Sequence, residues 1–310
     1  MYNTPMRYTL GWAVLVLAVI LYGVAIGQTS KKDEAVEIPF DFSHNQIAIQ
    51  VRISGKGPFN MLLDTGTDPS AIDLGTAKEI GLKLGSTAHH SSGGGTSPNL
   101  SYVTKLPLVE VGGLVAKNID AGAIDLSKIS ERMGKPVHGV LGQSFLKNRI
   151  VQIDYPHHLV RFYERSPFSK TSGRSGNSNI TTLAFRYDDN VLIDGVSVNG
   201  KTLTADLDTG ASGAFQLSPA AVTHLGLDEE AGRAKVSSSV GYNGQFQNHE
   251  GKLKNVSLGA ITIDDPDVTF FAKGTGHDRV PWGINIGNAF LKDFVLTVDY
   301  RSKTITLERP

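Results

Sequence analysis

The chain has 310 residues, in which 30 Lys and Arg are balanced by 30 Asp and Glu. Zero formal charge leaves no global field to draw nucleic acid or an anionic membrane surface, and the absence of cysteine excludes disulfides, thiolate nucleophiles and cysteine-ligated metals together. Two cores of ordinary size fit this length, and 34 glycines among short apolar alternations point to a turn-rich, all-β chain with few short helices.

No charge follows Arg7 until Lys31, and residues 10–26 are almost wholly apolar. Ala25 and Gly27 put small residues at the two positions a signal peptidase reads, so residues 1–27 are expected to be a signal peptide. An uncleaved N-terminal anchor is the alternative, since the run is close to the roughly 18 residues that span a bilayer. Either way the rest of the chain is expected outside the cytoplasm, periplasmic or extracellular.

A first lobe is expected over 38–165. Its run Ile47-Ala48-Ile49-Gln50-Val51-Arg52-Ile53 reads as a strand that passes through a turn and a second strand into Asp64-Thr65-Gly66. Residues 73–81 predict a short helix, 90–96 a glycine-rich hairpin, and Leu141-Gly142-Gln143-Ser144-Phe145-Leu146 a motif followed by another short helix. Val151-Gln152-Ile153-Asp154-Tyr155 and residues 159–163 close the lobe as strands. Residues 166–179, rich in Ser, Gly and Lys, read as a linker.

The second lobe, 180–310, repeats this order. A strand over 191–200 leads toward Asp208-Thr209-Gly210, and 218–226 carries an N-cap serine, proline at the first helical position and a terminal glycine. A glycine-containing hairpin over 239–245, then Ile286-Gly287-Asn288-Ala289-Phe290-Leu291, Leu296-Thr297-Val298-Asp299-Tyr300 and a strand over 304–307 complete it. Matched segments keep an offset of 144 to 145 positions, as from 64 to 208 and from 142 to 287. The chain is an internal duplication.

Two carboxylates brought together across a two-fold axis share one proton, because like charges a few ångströms apart cannot both ionise; Asp64 and Asp208 are the candidates. The pairs His89-His90 and His157-His158 lack the three-to-five spacing of helix-borne metal ligands, so no metal site is expected. Asp68 reads as a solvated turn residue; Asp206, two positions before Asp208 and on its strand face, reads as one half of a surface ion pair, with perturbation of the dyad as the alternative. The recurring Asp154-Tyr155 and Asp299-Tyr300 are assigned to hairpin packing and capping. Asn285 stands where the first copy is apolar, which fits either a hydrogen bond or drift of the second lobe.

The apolar strand ending in Asp-Thr-Gly, the glycine-rich segment about 30 residues later, apolar-Gly-x-x-Phe-Leu and the closing Asp-Tyr hairpin resemble the retropepsin-like aspartic peptidase domain, present twice over nearly all of 38–307. The resemblance implies a bilobal pseudodimer with a central cleft, in which Asp64 and Asp208 are the catalytic pair holding a water. Thr65 and Thr209 would bond across the lobe interface, while Gly66 and Gly210 let backbone pass close beneath the carboxylates. Gly142 and Gly287 would thread the loop of their own lobe's triplet, with Leu141 and Ile286 packed under it. Gly93, Gly94 and Gly95 in one copy and Gly241 and Tyr242 in the other lie at the family's flap position; an ordinary surface loop is the other reading. Thr67 follows the first triplet and Ala211 the second, so Asp64, with a hydroxyl neighbour, is expected to ionise more easily and Asp208 to keep the proton. The activity implied is that of an aspartic endopeptidase acting on peptides or unfolded protein, without cofactor or nucleic acid and as a monomer. A catalytically silent peptide-binding protein and a lobe-swapped dimer are the alternatives.

Overall fold

A computed structural model of the protein describes residues 1, 35–90, 93–168, 179–278 and 280–310. Beyond Met1, the segment read as a signal peptide or anchor lies outside the described residues, as do Ser91, Ser92 and positions 169–178 of the linker. Among the described residues only two helices, Ser127–Met133 and Pro219–Leu225, reach 7 residues, so this is a β protein with short helices.

The same local chemistry delivers each half to its Asp-Thr-Gly. Strand Ala48–Ile53 exposes Gln50 and Arg52 and buries Val51 and Ile53. Ser54 and Gly55, at φ 51° and 77°, turn it back into Lys56–Leu63. Asn199 and Gly200, at φ 50° and 79°, do the same between Val191–Val198 and Lys201–Leu207. Two successive left-handed residues are what a tight two-residue hairpin needs, and glycine takes that conformation without a Cβ penalty. The turn fixes the register, and the register fixes the residue at which each strand runs out.

Three sheets result. The first lobe's seven strands run in the order Ala48–Ile53, Lys56–Leu63, Gly139–Leu141, Ser70–Asp73, Leu114–Ile124, Leu100–Val111, Ala88–His90. The second lobe has a 10-stranded sheet whose centre, Phe215–Leu217, Ile284–Ile286 and Lys201–Leu207, repeats the first lobe's Ser70–Asp73, Gly139–Leu141 and Lys56–Leu63. A six-stranded sheet joins the halves: Val36–Pro39, Leu159–Tyr163 and Ile150–Asp154 from one, Val295–Asp299, Thr304–Glu308 and Ile180–Ala184 from the other. Its midline pairs Ile153 with Leu296 and Val151 with Val298, antiparallel. One apolar cluster, including Phe145, Phe162, Leu296 and Ile305, is continuous through both lobes and this sheet. Each large side chain fully buried there contributes about 1.5–3 kcal/mol.

Helix Pro219–Leu225 forms as its sequence predicts, with the Ser218 hydroxyl accepting from Ala221 N and Gly226 closing it at φ 76°. Leu74–Glu79 is its counterpart, capped by Asp73. The helix expected after each Gly-x-x-Phe-Leu instead coincides with the motif, as Gln143–Leu146 and Asn288–Leu291. Gly142 and Gly287 are the N-caps, because the chain must leave the strand and coil within one residue to pass beneath the triplet loop.

Candidate active site

Each triplet begins where a pair of parallel strands ends. Asp64 N donates to Leu141 O at 3.1 Å and Asp208 N to Ile286 O at 3.0 Å, so each aspartate is tied to the apolar residue before the threading glycine. Gln143 N and Asn288 N then donate to Thr67 O and Ala211 O, at 2.7 and 2.8 Å, which holds each loop over its own lobe's Gly-x-x-Phe-Leu. A Cβ on Gly287 would lie 2.9 Å from Ala211 Cβ, and one on Gly142 would lie 3.2 Å from Pro69 O. Neither position has room for a side chain.

Thr65 and Thr209 lock the lobes reciprocally. Each backbone N–H donates to the other threonine's Oγ1 at 3.0 Å. Thr209 Oγ1 donates to Leu63 O at 2.9 Å, and Thr65 Oγ1 to Leu207 O. Both side chains are buried, so four charge-free bonds cross the interface where water cannot compete.

The two carboxyls meet above this lock. Gly66 N donates to Asp64 Oδ1 at 2.7 Å and Gly210 N to Asp208 Oδ1 at 2.8 Å. A Cβ on Gly66 would lie 2.7 Å from Asp208 Cγ, and one on Gly210 would overlap the Asp64 carboxyl. Each glycine thus lets the other lobe's carboxyl approach, and the charge of Asp208 acts directly on Asp64.

The second donors differ. Thr67 Oγ1 donates to Asp64 Oδ2 at 2.7 Å, as its position suggested. Asp208 has no hydroxyl neighbour, but Asn285 Nδ2 donates to its Oδ2 at 2.8 Å, which settles the open reading of Asn285 as a hydrogen bond. Burial first, then the charge of Asp208, pushes Asp64 up to about 8 against the bonds from Thr67 and Gly66. The expectation that the Thr67 hydroxyl would ease ionisation of Asp64 does not hold, because burial and the charge of Asp208 outweigh that bond. The hydroxyl argument neglected burial and the amide that arrives on Asp208 from the neighbouring strand.

Other expectations also change. Among the described residues Asp206 makes no ion pair: it is buried, and Asn190 Nδ2 donates to its Oδ2 at 2.7 Å. Burial and then Asp208 raise its carboxyl well above the usual range. Asp68 is exposed as expected, yet accepts from the Tyr187 hydroxyl of the other lobe at 3.0 Å. Asp154 and Asp299 do cap their turns, accepting from His157 N and from Arg301 N and Ser302 N. Their tyrosines do more than pack. Tyr155 Oη donates to Asn288 Oδ1 at 2.6 Å, and Asn288 Nδ2 donates to Thr209 O at 2.6 Å. In the mirror arrangement Tyr300 faces Gln143, whose Nε2 donates to Thr65 O. Tyr155 of the first half thus props the second half's triplet loop, and the signal was available in two amides and two tyrosines recurring at one offset.

The glycine-rich segments converge over the dyad. The tip between strands Lys235–Gly241 and Gly244–Lys252 reaches the first lobe, where Asn243 N donates to Gly94 O and Ser97 N to Asn243 O, both at 2.9 Å. Gly95 N donates to Thr275 O at 3.1 Å, and a Cβ on Gly93 would lie 3.0 Å from the Tyr242 ring. Tyr242 Oη lies 2.9 Å from Thr67 Oγ1, one bond away from Asp64. Among the described residues no three His, Asp or Glu side chains gather as a metal site.

Against known proteins, a family model described as aspartyl protease matches residues 49–145 and again 195–289, one triplet in each match. No curated protein matches the chain.

Proposed function

Because the chain belongs to the aspartyl protease family, matched in both halves, we propose that it is an exported aspartic endopeptidase that hydrolyses peptides or unfolded protein segments at Asp64 and Asp208. The observation that carries this reading is the geometry of the pair. Two carboxyls from different lobes lie against each other's glycine, each with one backbone and one side-chain donor, and the environment favours a proton on Asp64.

In this reading Asp208 is the base and Asp64 the acid. A water between them loses a proton to Asp208 as its oxygen attacks the scissile carbonyl, while Asp64 donates to the carbonyl oxygen. The tetrahedral diol collapses with return of a proton to the leaving amine, and no covalent enzyme intermediate forms. One carboxyl must stay protonated, and Asp64, pushed up to about 8, keeps its proton through the acidic and neutral range, so activity belongs below about pH 8. Export is proposed on the apolar run over 10–26, with cleavage after Gly27 or retention as an anchor. We take the working unit to be a single chain, since the partner lobe is present at high effective concentration.

The test is cleavage of a randomised peptide library by protein lacking residues 1–27, over about pH 3 to 7, beside Asp64→Asn and Asp208→Asn. Turnover by the unmodified protein and its loss in both variants is expected. Peptide binding without turnover at every pH would overturn the enzymatic reading in favour of a binding protein.

A further inference from the structure

We propose that Asp206 is a positioning residue of the second lobe: it carries a proton on Oδ1, donates it to the Asn285 amide oxygen, and so holds the Asn285 Nδ2 on Asp208. The inference rests on the dyad reading above and extends it to a third carboxyl.

The argument starts from register. In the first lobe Leu62 pairs with Ala48 on one side and Val140 on the other, and Val140 also pairs with Ala71. All four belong to one apolar cluster beside the dyad. The corresponding positions of the second lobe are Asp206, Leu192, Asn285 and Gln216. Three of the four have become polar while remaining buried, at 2% exposure for Asp206, 4% for Asn285 and 7% for Gln216. Burying three polar side chains costs free energy unless their bonding is complete.

Their bonds leave one deficit. Asn285 spends both amide protons, on Asp208 Oδ2 and on Gln216 Oε1, each at 2.8 Å. Asp206 Oδ2 is met by Asn190. Asp206 Oδ1 and Asn285 Oδ1 remain, both buried without a partner, on residues paired directly across adjacent strands. Neither oxygen has a hydrogen-bond partner, and a single proton on Asp206 satisfies both. Turning the Asn285 amide over does not help, since its oxygen would then face the Asp208 carboxyl.

The surroundings agree. Asp206 is faced by Asn190, the Val191 N–H, Asp208, Asp64 and the Tyr300 phenol, with no cation among them. A carboxyl buried among carboxyls keeps its proton. With the Asn285 oxygen engaged, its N–H is held on Asp208 and stabilises the charge there, leaving the dyad's proton to Asp64.

The test compares Asp206→Asn with Asp206→Leu, the residue type of the first lobe. The asparagine keeps a donor toward Asn285 and an acceptor toward Asn190; the leucine keeps neither. Asp206→Leu is expected to lower kcat about tenfold with little change in KM, and Asp206→Asn to recover kcat to within about threefold with both limbs of its pH profile in place. Were Asp206 ionised in the working enzyme, Asp206→Asn would delete a negative charge beside the dyad and move both limbs to lower pH, and that result overturns the proposal. Carboxyl-carbon NMR of aspartate-labelled protein reads the same proton without turnover. The signal lost in Asp206→Asn should sit at its protonated shift near pH 5, where exposed aspartates are ionised; an ionised shift overturns the proposal. An unmodified protein without turnover would count against the peptidase reading alone, and the carbon signal would still decide where this proton lies.

Discussion

Thr67 has no counterpart in the second lobe, where Ala211 stands, and Asn285 has none in the first, where Val140 stands. Each carboxyl is nevertheless served by one glycine N–H and one side-chain donor. The Thr67 proton goes to Asp64, so the bond between Thr67 and Tyr242 is donated by the phenol, and a chain of hydroxyls runs from the hairpin tip to the carboxyl. Thr67→Ala removes a bond that favours the charged form of Asp64, so Asp64 holds its proton to higher pH. The alkaline limb of kcat/KM is expected to rise by about 0.7 pH unit, the equivalent of about 1 kcal/mol for one hydrogen bond. A limb that stays in place would show that Asp64 does not carry the exchanging proton. At this scale the triplets were legible because their chemistry is local, down to the hydroxyl of Thr67. Asn285 and Asp206 were not, because their partners arrive from neighbouring strands and a sequence does not show what covers a strand face.

Segments with a local cause were read best: the Ser218 cap forms as its sequence predicts, whereas Asn199 and Gly200, taken into a strand over 191–200, are the turn that ends it at Val198. The meeting of the two glycine-rich segments rests on contacts some 150 positions apart, and only the glycines hinted at it. The hairpin tip is bonded to the first lobe through Asn243 and through Asn99, whose Nδ2 donates to Tyr242 O at 2.7 Å. With Tyr242 beside Thr67, this strap must lift or slide for an extended peptide to reach the carboxyls. A Cβ built on Gly244 lies 3.6 Å from Ser97 Cβ, within the separation of about 3.5–4.5 Å that a disulfide spans. The chain has no cysteine of its own, so a Ser97→Cys/Gly244→Cys variant has only one bridge to form. Its left-handed position, φ 87° at Gly244, costs the side chain about 1–2 kcal/mol. The oxidised variant is expected to be inactive on peptides and to recover on reduction, with the single variants indifferent to reductant. Undiminished turnover in the oxidised form would mean that substrate enters without moving the strap.

For the whole molecule, the constant offset between copies announced two equivalent lobes, whereas the six-stranded sheet joining them pairs residues such as Ile153 and Leu296 that no local pattern links. That sheet and the threonine lock press three acidic side chains, Asp64, Asp206 and Asp208, into one interior, and the protons this requires make folding depend on pH. Asp64 is raised to about 8 from an unfolded value near 3.8, and Asp206 is raised in the same direction. Between those limits the folded chain binds more protons than the unfolded one, so stability is fully present below about pH 4 and is lost as pH rises toward 8, by about 1.4 kcal/mol per pH unit for each retained proton. Asp154 acts oppositely: bonds from Arg161 and His157 outweigh its burial and hold it low, so its contribution is lost only as acid protonates it. The melting temperature should therefore peak near pH 4 and fall toward pH 8. Asp64→Asn, which cannot lose a proton, should flatten that fall. A melting temperature that climbs from pH 4 to 8 equally in both proteins would place the buried charge elsewhere and remove the physical basis for a proton shared at the dyad.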